Sequence, residues 1–136
     1  MPFDPESFTV HDVSTFPVVR ARSEGMTEGY APQWVQEMEA LLARGEPYVL
    51  MFEGGRVDEA HEDRKQRGLW LKKNKQALQK VCRALISIEP DALKRAAFRL
   101  QAVGAVKAFG IPMDVVASAP EAAACARRRL EDHPEG

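Results

Sequence analysis

Features that mark secreted, disulfide-stabilised or membrane-spanning chains are scarce in this sequence. It contains 2 cysteines among 136 residues, and Cys82 and Cys125 are too few and too isolated for a disulfide framework or a cysteine-based zinc site. No apolar run approaches the roughly 20 residues of a membrane span, and MPFDPESFTV has neither the basic start nor the apolar stretch of a secretory signal. We therefore expect a cytoplasmic protein without a membrane span.

Motifs that identify a reaction are missing as well. The chain has no Gly-x-Ser-x-Gly nucleophile motif, no Gly-x-Gly-x-x-Gly phosphate loop and no His-Glu-x-x-His zinc pair. His61 stands among Glu59, Glu62 and Asp63, but adjacent residues at a helix start point in different directions and do not converge on a metal. The sequence therefore predicts no metal site and no cofactor, and it does not favour an enzyme.

The composition is that of one globular domain. Apolar residues make up 45% of the chain and charged residues 29%, which lies far from the polar, highly charged composition of disordered proteins. The length suits a single domain over residues 1–136, with 131–136 as a frayed tail.

Charge is distributed unevenly along the chain. Residues 1–63 hold 13 acidic and 4 basic residues, whereas residues 64–130 hold 4 acidic and 15 basic residues. Such a charge separation favours attraction of a charged partner, or pairing between copies of the chain.

Hydrophobic periodicity predicts an α/β fold. Apolar and β-branched runs predict strands over 8–13, 16–22, 48–52, 84–88 and 113–117, and helical spacing predicts helices over 32–44, 91–107 and 120–130. A further helix follows the acidic stretch 58–63 and runs to about residue 81. The order β-β-α-β-α-β-α-β-α predicts a single mixed, mostly parallel sheet with an N-terminal β-hairpin and helices packed on it.

The same patterns predict caps and buried residues. Gly45 is expected to end the helix over 32–44, and Ser118 is expected to cap the last helix. Five apolar residues at helical spacing are expected to turn the helix over 91–107 toward the sheet: Leu93, Ala96, Ala97, Leu100 and Val103. One contiguous core is expected to contain Trp34, Met38, Leu50, Phe52, Trp70, Leu78, Ile86 and Val115.

The order of elements resembles the STAS-like fold of the anti-anti-sigma factor family. The chain is similar in particular to a group of small bacterial STAS-like (SpoIIAA-like) proteins of unassigned function, through the stretches FPVVRARSEGMT, PYVLMFEGG, LWLKKNKQAL and FGIPMDVVASAPEAAACARRRL. The resemblance implies a regulatory role exerted through protein binding. Related lipid-binding variants of the fold imply a ligand carrier as the alternative.

The resemblance also implies a phosphorylation site, which this chain does not reproduce. In regulatory members of the family, an anti-sigma kinase phosphorylates a serine or threonine at the start of the helix that follows a central strand. The matching stretch, residues 52–67, contains neither serine nor threonine. We therefore expect no such phosphorylation at this position.

A basic run over residues 64–83 is the most prominent charged feature, with eight bases and no acid. It indicates either a face that binds an acidic partner, with Lys72, Lys73 and Lys75 as the candidate residues, or a solvated helix surface. Nucleic acid is not indicated, because no aromatic stacking platform accompanies the bases and the isoelectric point is near 6.3.

Four other residues are candidates for binding. Asn74 falls on the apolar stripe with Trp70, and its amide needs hydrogen-bond partners, either the backbone of a neighbouring loop or a ligand. Trp70 is either a core residue or a ligand platform. Met26 and Tyr30 lie in a glycine-containing loop near the predicted strand ends, where α/β domains bind partners. They either form an exposed contact patch or fold back over the core.

Together these features favour a non-catalytic protein-interaction or regulatory module that binds a protein partner or a second copy of itself. The alternative is a carrier or sensor of a small apolar or lipid-like ligand, and an enzyme is the third option. A flat exposed apolar patch would indicate the module, a deep apolar pocket the carrier, and clustered titratable groups in a cleft the enzyme.

Overall fold

The computed structural model describes residues 8–22, 27–53 and 60–131 and has an α/β fold. Its strands are β1 (His11–Asp12), β2 (Val18–Ala21), β3 (Tyr48–Glu53), β4 (Cys82–Ile88) and β5 (Met113–Val116). Its helices are α1 (Ala31–Arg44), α2 (His61–Lys73), α3 (Lys75–Val81), α4 (Ala92–Phe109) and α5 (Ala119–Glu131). The α/β class with one mixed sheet is thereby confirmed.

The strands follow one another across the sheet in the order β1-β2-β3-β4-β5. β1 pairs antiparallel with β2, with His11 opposite Ala21, and the remaining neighbours are parallel. Because crossovers between parallel strands are right-handed, the helices that connect successive strands lie on the same side of the sheet. α5 follows the last strand and covers the opposite face. Of the described strands, β5 forms the edge that α4 and α5 flank.

The first core lies between the sheet and helices α1, α2 and α3. Trp34 of α1 and Trp70 of α2 meet edge to face, with ring centroids 5.4 Å apart. Met38 and Leu41 join them, together with Tyr48 of β3, which is completely buried. This cluster positions α1 and α2 against each other and against the centre of the sheet.

The second core lies between the sheet and α5. Val49 and Met51 of β3 alternate with the residues that face the first core, and they cluster with Ile86 of β4 and Cys125 of α5. The prediction of one contiguous core is therefore wrong for Ile86, and Val115 is buried but belongs to neither cluster. A central strand that is covered on both faces divides the core into two layers.

The second predicted helix is divided at Asn74. Its side-chain Nδ2 and its backbone N–H both donate to the carbonyl of Trp70, each at 2.9 Å, and its ψ of 17° departs from helical geometry. Asparagine side chains compete with the backbone for hydrogen bonds in this way, which interrupts helices. The break lets α3 take its own direction against the first core through Leu78.

A buried carboxylate anchors the N-terminal segment. Glu37 of α1 accepts the backbone N–H groups of Thr9, Val10 and His11 at 2.7, 3.0 and 2.8 Å, the Nδ1 of His11 at 2.8 Å and the Nε2 of Gln33 at 2.7 Å. The side chains of His11 and Glu37 are each 2% exposed. Burial raises the pKa of Glu37, but the hydrogen bonds outweigh burial and lower it from 4.5 to about 2. The hairpin is thus held by α1 as well as by its own strand pairing.

Candidate functional site

Helix α4 lies beside the edge strand β5, and polar side chains fasten its N-terminal half. Asp91 caps the helix by accepting the backbone N–H groups of its first turn. Nη1 of Arg95 donates to the carbonyls of Glu89 and Pro90 at 3.0 and 2.8 Å. Nη2 of Arg99 donates to the carbonyl of Val115 in β5 at 2.8 Å. These bonds go to backbone atoms and fix the position of α4 without burying its apolar residues.

Side chains of α3 hold the C-terminal end of α4 in the same manner. Nζ of Lys75 donates to the carbonyl of Ala108 at 3.3 Å, and Nε2 of Gln79 donates to that of Phe109 at 2.6 Å. Gly110 ends the helix with a φ of 72°, and a Cβ at this position would collide with Gln79. Glycine is therefore favoured here by the left-handed backbone conformation, and a larger residue would also displace the Gln79 side chain.

The apolar face of α4 that was predicted to be buried points to solvent. Leu93, Leu100 and Val103 are 83%, 77% and 64% exposed, and Ala96 and Ala97 are exposed too. Ala102 is the buried residue of this helix. The prediction is wrong because α4 carries a second apolar stripe at similar spacing, which packs toward the sheet and contains Phe98, Ala102, Ala105 and Phe109.

We refer to the exposed stripe as the α4 outer face, made up of Leu93, Ala96, Ala97, Leu100, Val103 and Gly104. Gly104 sits in the helix interior, where glycine costs about 1 kcal/mol relative to alanine. A Cβ built on it would meet nothing within 4 Å. Packing among the described residues therefore gives no reason for a glycine at this position. The stripe extends from Leu93 to Gly104 and so covers most of the length of α4.

A groove follows the edge of β5 between α4 and α5. Its volume is about 530 Å³. Residues of α4, all four residues of β5, and Cys125 and Arg128 of α5 line it. Most of the lining is apolar and comprises Ala102, Val103, Val106, Met113, Val115 and Val116. We refer to this feature as the edge groove.

The one carboxylate among the groove-lining residues is neutralised. Arg129 donates from Nε and Nη2 to the two oxygens of Asp114 at 2.8 and 2.9 Å, a bidentate pair. Sγ of Cys125 donates to the same carboxylate at 3.1 Å. Burial raises the pKa of Asp114, but these bonds outweigh it and lower the pKa below its usual value. Arg99 and Arg128 therefore give the groove a net positive charge.

Neither cysteine is prepared for nucleophilic chemistry. Burial, followed by the hydrogen bond to Asp114, raises the pKa of Cys125, and burial raises the pKa of Cys82 to about 12. Only the thiolate is an effective nucleophile, so both side chains remain protonated at neutral pH. Within residues 8–22, 27–53 and 60–131, no group of three or more His, Cys, Asp or Glu side chains is arranged to hold a metal ion.

The structure places two of the candidate residues in the interior. Trp70 belongs to the first core and donates from Nε1 to Glu39 at 3.2 Å. Tyr30 is 7% exposed and directly precedes α1, where the carboxylate of Asp63 accepts the backbone N–H groups of Gly29 and Ala31. The loop therefore folds back over the core at Tyr30, which was one of the two alternatives. Met26 and residues 132–136 of the predicted tail lie outside the described residues.

The basic candidates are divided between two surroundings. Lys72 and Lys73 are exposed in the last turn of α2, whereas Lys75 holds the end of α4 through Ala108. The amide of Asn74 donates to the carbonyl of Trp70 in the preceding helix, and not to the backbone of a neighbouring loop as predicted. The role of Lys72, Lys73 and Lys75 in partner binding stays a prediction.

Sequence reasoning did not identify Arg99, Asp114, Arg128 or Gly104 as site residues. Two signals were present in the chain. Asp114 is a charged residue inside an otherwise apolar strand, and Gly104 interrupts a helix of good helix formers. At Asp114 the pair with Arg129 accounts for the departure from local propensity.

Comparisons with known proteins give no match for this chain: no family model, no curated protein and no solved structure is similar enough to count as one. The STAS-like resemblance therefore stays a prediction. None of the described helices combines the length and the apolar character needed to cross a membrane.

Proposed function

We propose that this chain is a non-catalytic protein-interaction module that binds an acidic amphipathic helix of a partner protein on the α4 outer face. The observation that carries the proposal is the distribution of exposed apolar side chains. Among the described residues, four of the five large exposed ones, Leu93, Leu100, Val103 and Val106, belong to α4. Exposed apolar groups concentrated on one element mark interaction surfaces, whereas scattered ones do not.

The spacing on the α4 outer face supports a helix as the bound element. Leu93, Ala96, Leu100 and Val103 are separated by three, four and three residues, which is the a and d pattern of a helix-pairing seam. Gly104 lies beside this seam and lets a second backbone approach closely. The close approach of a partner helix would explain why glycine occupies position 104, where packing among the described residues gives no reason for it.

The basic residues of α4 favour an acidic partner over a second copy of the chain. α4 carries Lys94, Arg95, Arg99 and Lys107 and no acidic residue. Pairing two copies through α4 would place like charges along one seam, which is unfavourable. A helix with glutamates or aspartates beside its apolar residues meets these bases with complementary charge.

A synthetic peptide tests the proposal. Its apolar face carries leucines at heptad a and d positions with glutamates beside them, and a matched peptide carries lysines in place of the glutamates. We expect saturable binding of the acidic peptide, measured by fluorescence anisotropy, that weakens with salt. Leu100→Glu should weaken it by about tenfold or more, because a central apolar contact is replaced by a like charge. Leu100 is 77% exposed, so the variant retains the fold, as circular dichroism will show.

The control variant is Leu69→Glu, which changes an apolar residue of α2 that is 60% exposed. It should leave peptide binding unchanged. Equal binding of the lysine peptide would refute the charge argument, and equal binding by Leu100→Glu would refute the surface. Sedimentation of the wild type as a dimer, with Leu100→Glu as a monomer, would assign the α4 outer face to a second copy and overturn the proposed partner.

A further inference from the structure

We propose that the edge groove is a second binding site, for a small amphipathic anion, a molecule with one anionic head on an apolar chain. The groove volume of about 530 Å³ lies within the range of small-molecule sites, about 300–1,000 Å³. Such sites combine an apolar lining with a few polar groups that orient the ligand. The edge groove has this composition.

The head group would be held by Arg99 and Arg128. These residues approach the groove from opposite sides, one from α4 and one from α5. Arg99 uses Nη2 to hold Val115 of β5, and a guanidinium has five N–H donors, so further donors remain for a ligand. Arg129 holds both oxygens of Asp114, so the one carboxylate among the groove-lining residues has its main partner outside the groove lining. Carboxylates and phosphates are the heads that guanidinium groups recognise.

The apolar chain would lie along the edge of β5. Met113 and Val116 of the strand and Val106 of α4 contribute apolar walls on both sides. Among the described strands, none pairs with β5 at this edge, so the walls are partly open to solvent. A single alkyl chain that covers these walls removes apolar surface from water at the protein and at the ligand.

Octanoate and octyl phosphate are suitable probes, with octanol and acetate as controls that lack the head or the chain. We expect saturable amide shifts in a heteronuclear NMR titration at β5 and at the middle of α5, with a dissociation constant on the order of 1 mM for a ligand of this size. The relative affinity of the two probes identifies the preferred head. Octanol and acetate should each bind at least about tenfold more weakly, because octanol lacks the anionic head and acetate lacks the apolar chain.

Two pairs of variants test the assignment. Arg128→Glu should weaken octanoate binding by about tenfold or more, whereas Arg127→Glu, a neighbouring exposed change on α5, should not. Val106→Trp should fill the groove and block binding, whereas Leu69→Trp should not. The site is refuted if neither probe binds saturably, or if Arg128→Glu and Arg127→Glu bind the probes alike.

The edge groove adjoins the α4 outer face and shares Val103 with it, but Leu100 belongs to the outer face alone and Arg128 to the groove alone. Leu100→Glu should weaken peptide binding by about tenfold or more and leave octanoate binding intact, whereas Arg128→Glu should weaken octanoate binding and leave peptide binding intact. Loss of both activities in Leu100→Glu would show that the probe binds the α4 outer face, and would overturn the edge groove as the site.

Discussion

Replacing Glu37 by glutamine tests how the N-terminal segment is held. The carboxylate of Glu37 accepts hydrogen bonds from three consecutive backbone N–H groups and from the side chains of His11 and Gln33. A glutamine side chain offers one acceptor oxygen and presents an NH₂ group to these donors. Several buried donors would lose their partner, and each unsatisfied donor costs about 1–3 kcal/mol.

The pKa of Glu37 gives the magnitude for the ionised form. Lowering it from 4.5 to about 2 corresponds to about 3 kcal/mol of stability, at roughly 1.4 kcal/mol for each pH unit. Because the folded-state pKa is depressed, this contribution is complete above about pH 5 and is lost as the pH falls toward 2. The free energy of unfolding of Glu37→Gln should therefore be about 3 kcal/mol lower than that of the wild type at pH 7. The variant should also lack the part of the pH dependence of stability that comes from protonation of Glu37.

Urea unfolding followed by circular dichroism at a series of pH values measures both effects. Glu46→Gln serves as the control, since Glu46 is 57% exposed and forms a surface ion pair with Arg44, which contributes little. A loss below about 1 kcal/mol for Glu37→Gln at pH 7, or an acid dependence equal to that of the wild type, would refute the reasoning.

Further substitutions test the stability of the fold and, at Gly104, peptide binding as well. Gly104→Ala and the control Gly68→Ala each place a methyl group where nothing lies within 4 Å. Both substitutions should raise the free energy of unfolding by about 0.5–1 kcal/mol. Only Gly104→Ala should weaken binding of the acidic peptide. Equal effects of the two substitutions on peptide binding would contradict a role for Gly104. Tyr48→Phe removes a buried hydroxyl that has no hydrogen-bond partner among the described residues, and it should be neutral or stabilising by about 1 kcal/mol in urea unfolding. A clear loss of stability would show that the hydroxyl is paired.

Much of the fold was predictable because periodicity reports directly on secondary structure. The run from Tyr48 to Phe52 is apolar throughout, and it forms the central strand that is covered on both faces. Gly45 ends α1 in the left-handed conformation, with a φ of 72°, and the Ser118 hydroxyl accepts the backbone N–H of Glu121 at 3.4 Å. These features depend on residues that are close together in the sequence, so the sequence pattern alone predicts them.

The orientation of α4 was not predictable in the same way. Its two apolar stripes, around Leu100 and around Ala102, have similar spacing, so periodicity identifies both without selecting the one that packs on the sheet. The selection depends on bonds from Arg99 and Gln79 to distant backbone atoms. Such contacts become visible only when the chain is folded.

The candidate sites were missed for a related reason. Arg99 and Arg128 are 29 positions apart in the sequence, and each belongs to a different helix that flanks β5. The bases at Lys72 and Lys73 form a denser run and drew attention for that reason. Density of charge along the chain is a poor guide to where charges and apolar groups meet in space.

Chemical-shift mapping of the protein with the acidic peptide tests the central claim most directly. Peptide binding on the α4 outer face predicts saturable shifts of the amides of Leu93, Ala97, Leu100 and Gly104, and their disappearance in Leu100→Glu. Shifts confined to the end of α2 around Lys72 and Lys73, or the absence of saturable shifts anywhere in α4, would contradict it.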